Sequence, residues 1–232
     1  MKIAAISDIH GNIYALMKAL EDIDEQKVDK IICLGDLVGY GPHPNEVIAL
    51  IKRREIPCIK GNYDASVVDG GFTYIRDNNI NSFALPWAVD EVRVSNKYFL
   101  DSLPTQLNFT INVVYLLFTH GSPIKINEYL FEDGTNTKNI MHNLKEDVLV
   151  CAHTHIPSFK KFSDKLFINV GSVGKPKIGK PTPTYSIIEI NDNSEVIVSF
   201  RYLDYEFKKI VKDCMMLKFP TALVESYKTG QE

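Results

Sequence analysis

Five short apolar runs in this chain end in side chains that can hold a cation. "KIAAIS" leads into Asp8-Ile9-His10, "KIICLG" into Asp36 and "IPCIKG" into Asn62. "VVYLLFT" leads into His120, and "DVLVCA" into His153-Thr154-His155. A lone Asp-x-His or Gly-Asp is ordinary loop chemistry. His-Thr-His is more specific, because side chains at i and i+2 of an extended segment reach the same side. Two carboxylates, four imidazoles and one amide oxygen make a borderline-hard donor set suited to Mn²⁺, Fe²⁺, Zn²⁺ or Co²⁺, with Mn or Fe favoured and Ni or Mg also admissible. No cysteine belongs to the set, which argues against a structural zinc knuckle. So many donors exceed what one ion takes from protein while keeping a site open; two divalent ions sharing a carboxylate would use them all.

The elements that must position these side chains are legible in outline. The runs are short, apolar and mostly β-branched or aromatic, as buried strands are. Between the first of them, "NIYALMKALEDIDEQ" carries Ile13, Leu16, Met17, Leu20 and Ile23 on one helical face. "HPNEVIALIKRRE" does the same with Val47, Ile48 and Ile51, and Pro44 suits its first turn. This β-α-β-α-β opening predicts parallel strands, whose carboxyl ends are where ligands sit in open α/β sheets. Residues 75–103, with Trp87, read as mainly helical and close to the mouth of the site; Trp87 and the tyrosines near it read as core more than as base-stacking platforms, though they are the candidates if the substrate is a nucleotide. "KLFINVGS", "TYSIIEIND" and "EVIVSFRYLD" read as strands of antiparallel hairpins. The expected fold is a four-layer α/β/β/α sandwich of two mixed sheets with outer helices. Residues 1–232 form one domain on this reading, with 206–232 a C-terminal helix and tail.

In this order the motifs "SDIHGN", "LGDLVGYGP", "KGNYDAS", "FTHGSP" and "CAHTHIP" resemble the calcineurin-like metallophosphoesterase family, from residue 1 to about residue 205. The closest likeness is to its small bacterial and archaeal phosphodiesterase-like branch, some of whose members cleave dinucleoside polyphosphates. The resemblance implies that one ion takes Asp8, His10 and His155, that a second takes Asn62, His120 and His153, and that Asp36 bridges them. It implies hydrolysis of small phosphodiesters, aryl phosphates or nucleoside polyphosphates by a hydroxide held between the ions, since such a pair lowers the pKa of water from 15.7 towards about 7. A nuclease on the same core, or a catalytically silent metal-binding scaffold, are the alternatives. Ala152 stands where the family usually has Gly, and Tyr63 where many members have a histidine thought to act as general acid.

Tyrosine holds its proton at neutral pH, so Tyr63 is expected to donate a hydrogen bond at most, which favours leaving groups that need little protonation. Asp64 is a candidate for orienting this loop. In "NVGSVGKPKIGK", Gly171 with Lys175 and Lys177 offers amides and cations for a substrate phosphate. His43 and His142 carry no expected role. A net charge of −3 argues against general nucleic-acid binding. The four cysteines are far apart, and Cys33, Cys58 and Cys151 lie in apolar runs, which suits a reducing compartment. No run reaches membrane-spanning length, so a cytoplasmic protein acting on a small phosphoester is expected. Nothing in the sequence specifies an oligomeric state.

Overall fold

The computed structural model describes residues 1–231. Along the chain the elements are β1 (Lys2–Ile6), α1 (Ile13–Glu25), β2 (Lys30–Cys33), α2 (Pro44–Arg53), α3 (Asn62–Asp69), α4 (Asn81–Glu91) and α5 (Val94–Ser102). There follow β3 (Gln106–Ile111), β4 (Val114–Thr119), α6 (Thr135–Asn143), β5 (Val148–Cys151), β6 (Ser158–Phe162) and β7 (Lys165–Asn169). The chain closes with β8 (Thr184–Ile190), β9 (Val196–Tyr202), α7 (Phe207–Met216) and α8 (Thr221–Thr229). One sheet has the order β2-β1-β8-β9 and the other β3-β4-β5-β7-β6. Both are mixed: β1/β2, β4/β5 and β5/β7 pair parallel, and the remaining neighbours antiparallel. No helix among the described residues is long and apolar enough to cross a membrane.

The alternation of side chains along a strand explains the layering. Ile3 and Ala5 of β1 face Leu116, Phe118, Val148, Val150 and Ile168 of the second sheet, forming the inter-sheet core. Ala4 and Ile6 turn the other way, onto Leu16, Ala19 and Ile23 of α1 and the Val47, Ile48 and Ile51 stripe of α2. On the far side, Leu117, Leu149 and Phe167 meet Met141 of α6. Each such buried aliphatic or aromatic side chain contributes about 1.5–3 kcal/mol relative to exposure. The result is the expected sandwich of two mixed sheets between helical layers.

Several local readings change. "IPCIKG" makes no strand; it touches β2 at a single Cys33–Cys58 bridge before the chain enters α3 at Asn62. The edge strands β3 and β6, half-exposed along most of their length, were not read from the sequence. The C-terminal segment is two helices rather than one, broken where Lys218 turns to φ 56° and Pro220 starts α8. Trp87 keeps its expected packing role: it lies half-buried against the core, on Phe219 with ring centroids 4.8 Å apart.

Parallel pairing brings the ends of β1 and β2, and those of β4, β5 and β7, out at a common edge of their sheets. There the loops brace one another through backbone hydrogen bonds: Asp8 N donates to Gly35 O at 3.0 Å, His10 N to Asp36 O at 2.9 Å, Ala152 N to His120 O at 2.9 Å and Gly174 N to Asp8 O at 2.9 Å. Asp64, fully buried in the first turn of α3, accepts from Asp36 N at 2.8 Å, Leu37 N at 2.9 Å and Gly61 N at 2.9 Å. Gly61 has φ −90°, open to any residue. Its requirement is space: a Cβ there would lie 2.1 Å from Asp36 Oδ1 and 2.2 Å from Asp36 N. Gly61→Ala should therefore displace Asp36 and destabilise the fold by roughly 1–3 kcal/mol or more, as overpacking does. Gly71→Ala, whose added carbon meets nothing within 4 Å, should change stability by no more than about 0.5 kcal/mol. Denaturant unfolding of the two variants beside the parent checks the contrast.

Candidate metal centre

Five of the seven residues marked out in the sequence sit in the left-handed region: Asp8 at φ 51°, His10 at 48°, Asp36 at 53°, His153 at 68° and His155 at 62°. Asp and His tolerate this conformation better than most, yet each instance still costs on the order of 1–3 kcal/mol. The sharp reversals turn side chains from separate loops toward one point. Asp8, His10 and His155 form one group of ligand atoms lying within 4.8 Å of one another, and Asp36, His120 and His153 form a second. All six are buried.

Backbone carbonyls hold three of the rings. The Nδ1–H of His10 donates to Val38 O at 2.9 Å, that of His120 to Leu34 O at 2.8 Å and that of His155 to Lys175 O at 2.5 Å. A carbonyl only accepts, so the proton must sit on Nδ1 and Nε2 is the atom turned to the centre. His155 Nε2 lies 3.3 Å from Asp8 Oδ1; His10 Nε2 and His120 Nε2 lie 3.6 and 3.5 Å from Asp36 Oδ2. Asp36 Oδ2 is thus shared between the two groups. Asn62 completes the second: its Nδ2–H donates to Tyr74 O at 3.3 Å, which turns Oδ1 to His120 Nε2 at 2.8 Å.

Each carboxylate is half satisfied. Asp8 Oδ2 accepts from His153 N at 3.1 Å and Asp36 Oδ1 from Tyr63 N at 2.8 Å. Asp8 Oδ1, Asp36 Oδ2 and His153 Nε2 are buried without any hydrogen-bond partner. Orphaned buried groups of this kind cost about 1–3 kcal/mol each, more when charged. Burial works against ionisation of Asp8, but His155, His10 and His120 outweigh it and hold its pKa well below the usual carboxylate value. Asp36 is likewise held down against burial, chiefly by His120. Burial works against protonation of His120 too, yet Asp36 and Asp8 raise its pKa to about 10. Burial pushes His153 down to about 3 and His155 down to about 4, leaving both neutral. Ionised carboxylates, the neutral imidazoles of His153 and His155 and three orphaned lone pairs aimed at one place are the electrostatics of a cation site. The residues present fit a pair of divalent ions.

The centre forms the floor of a small open cleft of about 150 Å³. Of the expected substrate-binding residues, Lys177 lines it, and Gly171 and Lys175 do not. Gly171, at φ +79°, packs so closely on Thr184 that a Cβ would lie 2.1 Å from its Oγ1. Lys175 is buried with its ammonium 4.8 Å from the Tyr40 ring centroid, and its carbonyl holds His155. The loop amides expected to hold phosphate are used within the fold: Val173 N donates to Ser7 O and Gly174 N to Asp8 O, each at 2.9 Å. Asp64 does not line the cleft; it acts on the backbone beneath Asp36, and burial beside Asp36 lifts its carboxyl to about 6. Tyr63 does line the cleft, with its hydroxyl donating to Asn81 Oδ1 at 2.6 Å. His43 bonds Asp213 at 2.9 Å on the helical side, and His142 is exposed on α6. Tyr74, Arg76, Asn81, Asn127 and Tyr129 also line the cleft and were not singled out. They come from two loops and the first residue of α4, with no spacing in common, and only the fold brings them together.

The profile described as the calcineurin-like phosphoesterase superfamily domain matches residues 1–193. An uncharacterized protein of Methanocaldococcus jannaschii, MJ0912, is 35% identical over 229 residues, covering 91% of this chain and 92% of its own. Phosphodiesterase YfcE of Escherichia coli K12 is 25% identical over 213 residues, covering 84% of this chain and 95% of its own. Among solved structures, a metallophosphoesterase from Sphaerobacter thermophilus superposes with a TM-score of 0.82 at 26% identity, over 99% of each chain. The chain belongs to the calcineurin-like phosphoesterase superfamily, and by class is a phosphoric ester hydrolase.

Proposed function

We propose that Asp8, His10 and His155 hold one divalent ion, that Asn62, His120 and His153 hold a second, and that Asp36 serves both, in an enzyme for small phosphodiesters, aryl phosphates or nucleoside polyphosphates. The observation that carries this reading is the set of three orphaned buried atoms at the floor of an open cleft. When bound, such a pair activates water and neutralises phosphoryl oxygens by Lewis-acid action.

The rest of the chemistry falls to the chain. Apart from the side chains assigned to the ions, the described cleft lining consists of phenols, amides, Ile75, Arg76 and Lys177. It contains no further imidazole or carboxylate to protonate a departing oxygen. Tyr63 cannot fill that place readily, since its proton is engaged by Asn81 and burial raises its pKa well above the ordinary value. Leaving groups that depart as stable anions are therefore favoured: aryl oxides and phosphates over alkoxides.

Three outcomes are expected. Protein purified without chelator should carry two equivalents of metal and hydrolyse members of a mono-, di- and dinucleoside-polyphosphate panel with Mn²⁺, and Asp36→Asn should lose at least about 100-fold in activity together with metal content. A metal-replete parent inert across that panel overturns the reading. In the parent, rates should fall steeply from aryl to alkyl esters; Tyr63→His should flatten that dependence by restoring a proton donor worth about 10²–10⁴-fold. Equal leaving-group sensitivity in both proteins would count against it.

The third outcome concerns pH. The pKa of His120 is raised on folding, so its contribution to metal-free stability is present in full below about 6.5 and is lost as pH rises through about 10. A cation must displace the His120 proton, whereas His153 and His155 are already neutral. Metal affinity should rise between pH 7 and 9 by about tenfold per unit, with release of about one proton. Calorimetric titration in buffers of differing ionisation enthalpy measures that proton count.

A further inference from the structure

The mouth of the cleft carries a cation that the proposed reaction has not used. Arg76 stands on the loop between α3 and α4, its guanidinium 5.0 Å from the ring centroid of Tyr129. Tyr129 in turn stacks on the imidazole of His153, centroid to centroid 4.1 Å at 29°. One stacking contact therefore ties Arg76 to a side chain of the metal centre. Among the described residues no hydrogen bond or ion pair engages the guanidinium, so it lies over the Tyr129 ring while its N–H donors stay available. Its backbone is fixed as well, since Arg76 O accepts from Asn81 Nδ2 at 2.7 Å, the same Asn81 that holds Tyr63.

The surroundings say what such a group would meet. Above the metal centre the described cleft lining holds Arg76 and Lys177 and no carboxylate. Asp77, next in the chain, is turned to Ser82 Oγ at 2.8 Å, and Glu128, beside Tyr129, accepts from Ser122 Oγ at 2.5 Å. Neither lines the cleft. A rim with two cations, several amides and no acid suits an anion. A guanidinium held over an aromatic ring, with its donors available, suits the paired oxygens of a phosphate.

We propose that Arg76 is a specificity-determining residue that binds a second, non-scissile phosphoryl group of the substrate, selecting phosphoanhydrides over aryl esters with a single phosphate. This rests on the phosphoesterase reading of the same cleft and names the substrate class within it. As water oxygen bonds to the scissile phosphorus and gives its proton to solvent, the anhydride P–O bond breaks, and the departing phosphate, already held by Arg76, keeps the electron pair. It needs no proton, in keeping with a cleft whose phenol at position 63 is engaged.

The test uses the full-length, Mn²⁺-loaded protein and its Arg76→Ala and Arg76→Lys variants. Calorimetry with imidodiphosphate and with inorganic phosphate reads binding; kcat/KM for a nucleoside diphosphate and for p-nitrophenyl phosphate reads turnover. Arg76→Ala should weaken imidodiphosphate at least tenfold more than phosphate and lower the diphosphate-to-aryl ratio of kcat/KM at least tenfold. Arg76→Lys, which keeps the charge but not the fork, should fall between. Equal losses on both ligands, or none on either, overturn the proposal and leave Arg76 a structural partner of Tyr129. A parent that is inert on these two substrates and across the mono-, di- and dinucleoside-polyphosphate panel, yet shows the binding difference, refutes the phosphoesterase reading and sustains the anion subsite.

Discussion

Two buried carboxylates, each with one oxygen tied to a backbone amide and the other without a partner, are the constraint on which the rest of this molecule depends. Asp8 and Asp36 come from the ends of adjacent parallel strands and are both fully buried. Like charges this deep are tolerable only if opposite charge stands beside them. Without metal, protonated His120 supplies part of that charge, as its raised pKa records. Two cations would supply the remainder, satisfy the three orphaned atoms and release the proton from His120. The architecture around the centre is what keeps the carboxylates close despite their repulsion.

That architecture is stiff. The strand-end loops exchange backbone hydrogen bonds, Asp64 gathers amides from both sides of Asp36, and three imidazoles are pinned through Nδ1 to carbonyls of neighbouring loops. Left-handed backbone at five candidate ligands is strain that this bracing maintains. The cleft above is built differently. Arg76, Asn127 and Tyr129 come from loops outside the sheets, and they differ from the floor in using cations, amides and phenols. On the proposed reading, chemistry resides in the braced floor and selectivity in the rim.

How much of this the sequence discloses depends on whether a feature has a local pattern. The apolar runs that end in Asp8, Asp36, His120 and His153 do, because burial of both strand faces and an abrupt polar end are written in consecutive residues. Asn62 was legible by its place in the same order, although its own run forms no strand. The Lys175–Lys177 loop was legible only in part: Lys177 lines the cleft, but close approach to β8 consumes Gly171, and Lys175 is turned inward over Tyr40. Asp64 could be read as a loop-orienting residue, but three of the four amides it serves belong to a segment 26–28 residues away. Arg76 and Tyr129 had no signal, because their contact exists only once two distant loops meet. The half-exposed edge strands escaped for a related reason, as solvent on one face weakens their pattern.

The most direct measurement is crystallographic: anomalous scattering at the manganese edge from crystals grown with Mn²⁺. The account predicts two peaks at the cleft floor, one contacted by Asp8, His10 and His155 and the other by Asn62, His120 and His153, with Asp36 Oδ2 touching both. A single peak, or peaks that leave Asp8 Oδ1 and Asp36 Oδ2 untouched, would contradict it.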